Sequence, residues 1–294
     1  MSVTLRKLMI FESTARLGRL TVAADEQALS QSAASQALKE LEQALGFQLF
    51  ERNGRDLILT HAGQNILPRV RNILDLSQSL KLPDRAGIRG PLRIVASVTI
   101  GSYILPKLLG EFIRRHPGVE PQLRIINSRR VIEQLENSWA HIGMIEGPAV
   151  HNRLQIVPWM EDWLEVFCHP GHSLAQSRVL TKDQMAKQRW VLREVGSGTR
   201  AVFDHAVQKL GVQIKLALEL NRQEAIKQSV KAGLGVGCLS RLAVAEELQA
   251  GELISLRTPL DLRRRFALVM HPPEHSNFLA QSFSEFAMAQ LPPP

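Results

Sequence analysis

The sequence predicts a chain of two parts: a small all-α-like winged helical domain, then a larger α/β domain. Three observations predict it. The first sixty residues hold closely spaced amphipathic helices, one of them with an unusual polar face. A short Asn-Gly hairpin flanked by arginines follows them. After a stretch with two prolines and two glycines, LPDRAGIRGPL at residues 82–92, short apolar strands begin to alternate with helices.

The first helix starts near Thr4, with Leu5, Leu8, Phe11 and Ala15 on one side, and Gly18 ends it. Thr21 is the expected cap of a second short helix, VAADEQAL. The third, capped by Ser30, reads LSQSAASQALKELEQALG over residues 29–46. At about 100° per residue, Ala34, Leu38, Leu41 and Leu45 share one face. Gln31, Ser32, Ser35, Gln36 and Lys39 lead the other. A merely solvated face favours Lys and Glu, which are better helix formers. Short Ser and Gln side chains let a backbone approach closely and bond to base edges or phosphates. Two helices joined by a very short turn, the second with such a face, make a helix-turn-helix. Asn53-Gly54 predicts the hairpin, and Arg52 and Arg55 at its tip make it a wing suited to the DNA backbone or minor groove.

Thr60 caps a long helix to about Leu80, on which Ile66, Val70, Ile73 and Leu80 form a coiled-coil-like seam. Packing onto its own domain is one reading and a dimer interface the other; the latter is preferred. Pro68 inside this helix predicts a kink or a compensating partner. The alternation beyond the linker predicts a mostly parallel sheet covered by helices, with ligands bound beyond the carboxyl ends of its strands. Ser97, Thr99 and Ser102 follow one strand end; Ser197, Gly198 and Thr199 follow another. Hydroxyls and free amides at two helix N-termini suit an anion. Asn127, Ser128 and Asn221 lie at further strand ends. Glu146 would repel a pure anion unless Arg193 or Arg200 neutralises it, or the ligand also carries a donor.

At 294 residues, 45 % hydrophobic and 22 % charged, the chain has the composition of a globular protein. No apolar run is long enough for a membrane, and MSVTLRKLMIFEST has no signal-peptide pattern. Cys168 and Cys238 lie far apart in apolar surroundings, so buried thiols in the cytoplasm are expected. The formal charge of +8 allows a nucleic-acid partner but does not locate it. Residues 1–87 carry 11 basic and 9 acidic groups, so most of the excess lies elsewhere. No catalytic motif survives inspection. GSG at 196–198 is not a G-x-S-x-G elbow. GLGVG at 233–237 lacks the dinucleotide spacing and precedes its strand. Cys168, His169 and His172 in CHPGH lack a fourth ligand nearby. No cofactor and no metal are expected.

The N-terminal part resembles the LysR-type transcriptional regulators at Thr21, Ala23, Ala24, Leu29–Ala33, Ser35, Leu41, Glu42, Leu45, Gly46, Leu49, Phe50, Arg52, Arg55, Leu59, Thr60, Ala62 and Gly63. LRIVAS, ILP, FIRRHPGV, IGMIEG, SGTR, GLGV and ELISL are similar to segments of that family's effector domain. The resemblance implies a winged helix-turn-helix, a dimerising linker helix and an effector domain of two α/β subdomains like those of periplasmic binding proteins. It further implies a homodimer, and a homotetramer on double-stranded promoter DNA. Ser97, Thr99, Ser197 and Thr199 match its effector contacts.

The expected division is a DNA-binding domain over 1–60, a linker and dimerisation helix over 61–87, and an effector domain over 88–294. Within the last, 88–162 with 266–294 form one subdomain and 163–265 the other, hinged near 162 and 266. The function expected is promoter binding altered by a small anionic metabolite or inorganic oxyanion. The alternatives are a constitutive DNA-binding oligomer and a small-molecule-binding module without DNA function.

Overall fold

The computed structural model describes residues 2–53, 56–79, 88–272 and 277–290. The chain divides into two compact units, Met1–Asp84 with Glu136–Trp139, and Arg85–Leu135 with Ala140–Pro294.

In the first unit, α1 (Leu5–Leu17) is capped by Thr4, whose Oγ1 accepts from Lys7 N, and ends at Gly18 in the left-handed region. The second helix, α2 (Leu20–Glu26), begins two residues earlier than expected. Arg19 is its N-cap and supplies no side-chain bond, so Thr21 lies inside the first turn. On α3 (Gln31–Leu45), Ser30 Oγ accepts from Ala33 N at 3.2 Å, and Ala34, Leu38 and Leu41 are buried. They pack with Leu8, Ile10, Phe11, Leu49 and Phe50. The Phe11 and Phe50 rings meet edge to face, 5.5 Å between centroids.

Strands β1 (Phe50–Asn53) and β2 (Asp56–Leu59) pair antiparallel with Asn53 opposite Asp56, as the hairpin reading expects. Helix α4 (His61–Ser79) starts where Thr60 Oγ1 accepts from Gly63 N at 3.0 Å, and it continues through Pro68 as one helix. The expected seam on it needs correction. Val70 is 2 % exposed and belongs to its own unit's core, with Ile66 packed against that core. On the same helix Ile73 is 46 % exposed and Leu76 53 % exposed. Leu80, like the linker over 81–87, lies outside the described residues.

The second unit opens with β3 (Arg89–Ala96), α5 (Val98–Tyr103), α6 (Leu105–Arg115), β4 (Gly118–Ile125), α7 (Ser128–Glu136) and β5 (Ile142–Glu146). The long β6 (Gln155–Cys168) leads into α8 (Lys182–Met185), β7 (Arg189–Arg193), α9 (Gly198–Leu210), β8 (Lys215–Leu220) and α10 (Gln223–Lys231). Then come β9 (Val236–Ser240), α11 (Arg241–Ala250), β10 (Ile254–Leu256), β11 (Arg263–Met270) and α12 (Phe278–Ala289). The strand order is β4-β3-β5-β11-β6-β9-β7-β8, with β10 beside β6.

The sheet is mixed, where a mostly parallel one was expected. Strands β4, β3 and β5 run parallel, as do β8, β7 and β9. The two long strands between them, β6 and β11, pair antiparallel with each other and with their neighbours. They carry the chain from one half of the sheet to the other and back. A bulge between Arg265 and Ala267 interrupts their ladder opposite Pro158, a residue that has no N–H to give.

Each half has its own cores, one on each face, because successive residues of a strand point to opposite sides. Ile94, Ala96, Leu268 and Met270 join Phe112 and Phe283 on one face of the first half. Val95, Ala267 and Val269 join Val131 and Leu135 on the other. In the second half Trp190 and Leu192 face Phe203, whereas Val191 faces Ile226 and Val230. Cys168 and Cys238 are free and share the first of these two clusters. Burial raises the Cys168 thiol to about 11 and pushes Cys238 up as well, so both stay protonated and unreactive at neutral pH. His169 Nδ1 and His172 Nδ1 accept backbone N–H groups of Gly171 and Leu174, which spends them on the turn.

Candidate functional sites

In the first unit, Gln31, Ser32, Ser35, Gln36 and Lys39 are all exposed, opposite the buried Ala34, Leu38 and Leu41. Ser30 and Ser32 hydroxyls meet at 3.0 Å, and Gln36 Nε2 donates to Glu40 Oε1 at 2.8 Å. Glu40 also meets Lys7 Nζ at 2.9 Å, so α1 and α3 are tied at the edge of this face. Arg52 is exposed on β1, while Arg55 lies outside the described residues.

The second site lies where the two halves of the sheet meet. Ser97, Thr99, Ser197 and Thr199 are each no more than 2 % exposed. Ser97 Oγ and Ser197 Oγ are N-cap hydroxyls that make no hydrogen bond among the described residues. Buried hydroxyls without partners are uncommon. Only α9, at 13 residues, is long enough to give its N-terminus a substantial dipole; α5 has six.

Sequence reasoning missed the group at the centre of the site, Arg264, whose side chain is 1 % exposed. Its Nε and Nη2 both converge on Asp162 Oδ2 at 2.6 Å. Nη1 donates to Thr199 Oγ1 at 3.0 Å and Nη2 to Thr99 Oγ1 at 3.4 Å. Nη1 also stands 2.7 Å from Glu146 Oε2, an ion pair not aligned as a hydrogen bond. Gln223 Nε2 donates to Thr99 Oγ1 at 2.9 Å, and Ser240 Oγ to Asp162 Oδ1 at 2.9 Å. One guanidinium thus gathers side chains from both halves. The available signal was strand alternation. In Arg263, Arg264, Arg265 the middle residue shares its face with Phe266, Leu268 and Met270.

The neutralisation expected for Glu146 therefore comes from Arg264. Arg193 pairs with Glu194 through two hydrogen bonds of 2.8 and 3.0 Å, and Arg200 with Asp204 and Glu219. Burial would raise the Glu194 carboxyl, but Arg193, helped by Asn127, holds it below the usual carboxylate range.

Beside this network is a cavity of about 330 Å³ lined by Ser128, Arg129, Glu146, Ser197, Gly198 and Arg200, among others. Its walls meet through Asn127 Nδ2 donating to Glu194 Oε1 at 3.2 Å and Arg129 N donating to Gly196 O at 3.1 Å. Ser128 Oγ donates to Glu146 O at 3.3 Å. Gly198 is required at the crossing, since a Cβ there would lie 1.8 Å from Glu146 O. Of the sequence-predicted residues, Thr99, Glu146 and Thr199 meet around Arg264. Ser128, Glu146, Ser197 and Gly198 line the cavity, and Asn127 braces its wall. Ser102 and Asn221 are exposed and touch neither.

Residues 5–64 match the family model for the bacterial regulatory helix-turn-helix protein of the lysR family. Residues 85–292 match the LysR substrate binding domain. The chain is 37 % identical over 287 residues to the uncharacterized HTH-type transcriptional regulator YeiE of Escherichia coli strain K12, covering 97 % of each. A full-length OxyR from Pseudomonas aeruginosa shares the fold at TM-score 0.79 and 20 % identity, over 98 % of this chain and 94 % of that one. The Synechocystis CcmR regulatory domain in complex with 2-PG matches at TM-score 0.63 and 28 % identity, over 68 % of this chain and 97 % of its own. Among the described residues, no helix is long and apolar enough to cross a membrane. A helix-turn-helix with an exposed polar recognition face, a ligand-binding-type α/β domain and these matches together show that the chain belongs to the LysR family of bacterial transcriptional regulators.

Proposed function

We propose that this regulator binds promoter DNA in the cytoplasm and changes that binding when a small anion, carboxylate or inorganic oxyanion, enters the cavity between the two halves of the second unit. The observation that carries this reading is the buried, unpartnered Ser197 hydroxyl at the N-terminus of α9, on the wall of a 330 Å³ cavity. The solved relative in complex with 2-PG supports a small ligand in this domain type. The two halves act as subdomains hinged near 162 and 266, beside the bulge between Arg265 and Ala267. A ligand that grips both favours the closed form, and only such differential affinity shifts an equilibrium. DNA-binding, linker and effector domains are assigned to 1–60, 61–87 and 88–294.

Gln31, Ser32, Ser35 and Gln36 are assigned to the major groove, Lys39 to phosphate, and Arg52 and Arg55 to the flanking backbone or minor groove. A homodimer presents two such helices to two half-sites, and a homotetramer is the assembly proposed on the promoter. The test is calorimetric titration of the full chain with sulfate and with 2-PG, alongside Ser197→Ala. Binding by the wild type, weakened about tenfold by loss of one charge-assisted bond, supports the reading. Equal binding by both proteins overturns it. The closed network on Arg264 favours a second reading, a constitutive DNA-binding oligomer, and binding of neither anion, nor of a small amino acid such as serine, decides for that one.

A further inference from the structure

Two carboxylates face one guanidinium in the buried network, and they are not held alike. Asp162 is held through both oxygens: Oδ2 accepts from Arg264 Nε and stands 2.6 Å from Nη2, and Oδ1 accepts from the Ser240 hydroxyl. It is the fixed counter-ion. Glu146 has the 2.7 Å ion pair with Nη1, no hydrogen bond to Oε2, and a place on the wall of the cavity. The same Nη1 donates to Thr199 at the start of α9. The remaining charges facing Glu146 leave this imbalance intact. From β7 comes the Arg193–Glu194 pair, and from α9 Arg200, which is already paired with Asp204 and with Glu219 of β8. On β11, Arg265 pairs with Glu161 of β6, and on α7 Arg129 is exposed.

We propose that Glu146 is the specificity-determining residue of the cleft: its carboxylate occupies, on Arg264 and beside Thr199, the place that an anionic group of the ligand takes. This rests on the reading of the cleft as an anion site. A bare oxyanion must displace Glu146 from Arg264. A ligand that carries a hydrogen-bond donor next to its anionic group satisfies Arg264 and Glu146 together. The site therefore discriminates against simple inorganic anions and in favour of small anions bearing an ammonium or hydroxyl group.

The experiment is calorimetric titration of the full chain with sulfate at fixed pH and ionic strength. The wild type is compared with Glu146→Gln, Glu146→Ala, Glu146→Gln combined with Thr199→Val, and Asp204→Asn. Thermal melts confirm folding, and the alanine variant serves if the glutamine variant does not fold. The expected result is at least tenfold tighter sulfate binding by Glu146→Gln and Glu146→Ala, lost again when Thr199→Val is added. Asp204→Asn, which removes one negative charge from the same cavity, stays within about twofold of the wild type. Three results overturn the proposal: no gain on losing the Glu146 carboxylate, a gain that survives Thr199→Val, or an equal gain in Asp204→Asn. Wild-type binding that Ser197→Ala abolishes and Glu146→Gln leaves unchanged sinks this inference alone. Absence of sulfate binding in every variant sinks it together with the anion reading.

Discussion

Replacing Arg264 with methionine removes the cation that Glu146 and Asp162 both contact, and leaves two carboxylates buried at 3 % and 4 % exposure. Methionine matches much of the arginine stem, so the perturbation is mainly electrostatic. Breaking a buried ion pair by removing one partner costs about 3–5 kcal/mol, because the remaining charge is uncompensated. The second unit spans about 200 residues, and for that size each kcal/mol moves the melting temperature by roughly 2–4 °C. The melting transition of this unit should fall by roughly 6–20 °C. Glu146→Gln and Asp162→Asn added to Arg264→Met should recover part of the loss, since no uncompensated charge then stays buried, although the two amides still cost something to bury. Differential scanning calorimetry of the full chain measures both. A single variant within about 1 kcal/mol of wild type, or a triple variant no better than the single, would refute the view that these charges are desolvated and mutually dependent.

Gly198→Ala should destabilise the second unit by about 1–3 kcal/mol in urea denaturation, because its Cβ meets the Glu146 carbonyl and the crossing must open; unchanged stability would mean the contact is soft. Ile73→Asp with Leu76→Asp should dissociate the proposed homodimer by light scattering while leaving the fold intact, whereas Val70→Asp should unfold the first unit from within. Glu194 is held below the ordinary carboxylate range. Its contribution to stability is therefore full above the unfolded value of about 4.3 and is lost as pH falls through the lower folded value. Glu194→Gln should flatten the acid limb of the stability curve below about pH 5, and an unchanged limb would contradict the assignment. Arg52→Ala should lower the salt slope of DNA binding by about one.

What the sequence discloses depends on how local the information is. Helix α3 was legible because Ser30, Ala34, Leu38 and Leu41 act within one helix, and the hairpin because Asn53-Gly54 carries its own turn chemistry. The start of α2 lies two residues before the expected one because backbone geometry at Arg19, without any side-chain cap, sets it. Strand β6 was read only in its second half, since Pro158, Glu161 and Asp162 break the apolar pattern of its first. The sheet's mixed polarity follows from that omission. Periodicity on α4 is the same whether Val70 faces its own core or a partner, so spacing alone could not choose. Arg264 was hidden among three arginines. Its role depends on pairings with Asp162, Glu146, Thr99 and Thr199, each more than sixty residues away in sequence.

The most direct measurement of ligand-responsive DNA binding is fluorescence anisotropy of a duplex carrying the intergenic region next to this gene. It is titrated with the full chain at constant ionic strength, with and without saturating 2-PG or sulfate. The account predicts that the anion which binds moves the DNA-binding midpoint by about 5–150-fold, the range of coupling energies of 1–3 kcal/mol. In Ser197→Ala the same shift should need about tenfold more of the anion, while ligand-free DNA affinity is kept. A midpoint unmoved by an anion that calorimetry shows to be bound would contradict the account.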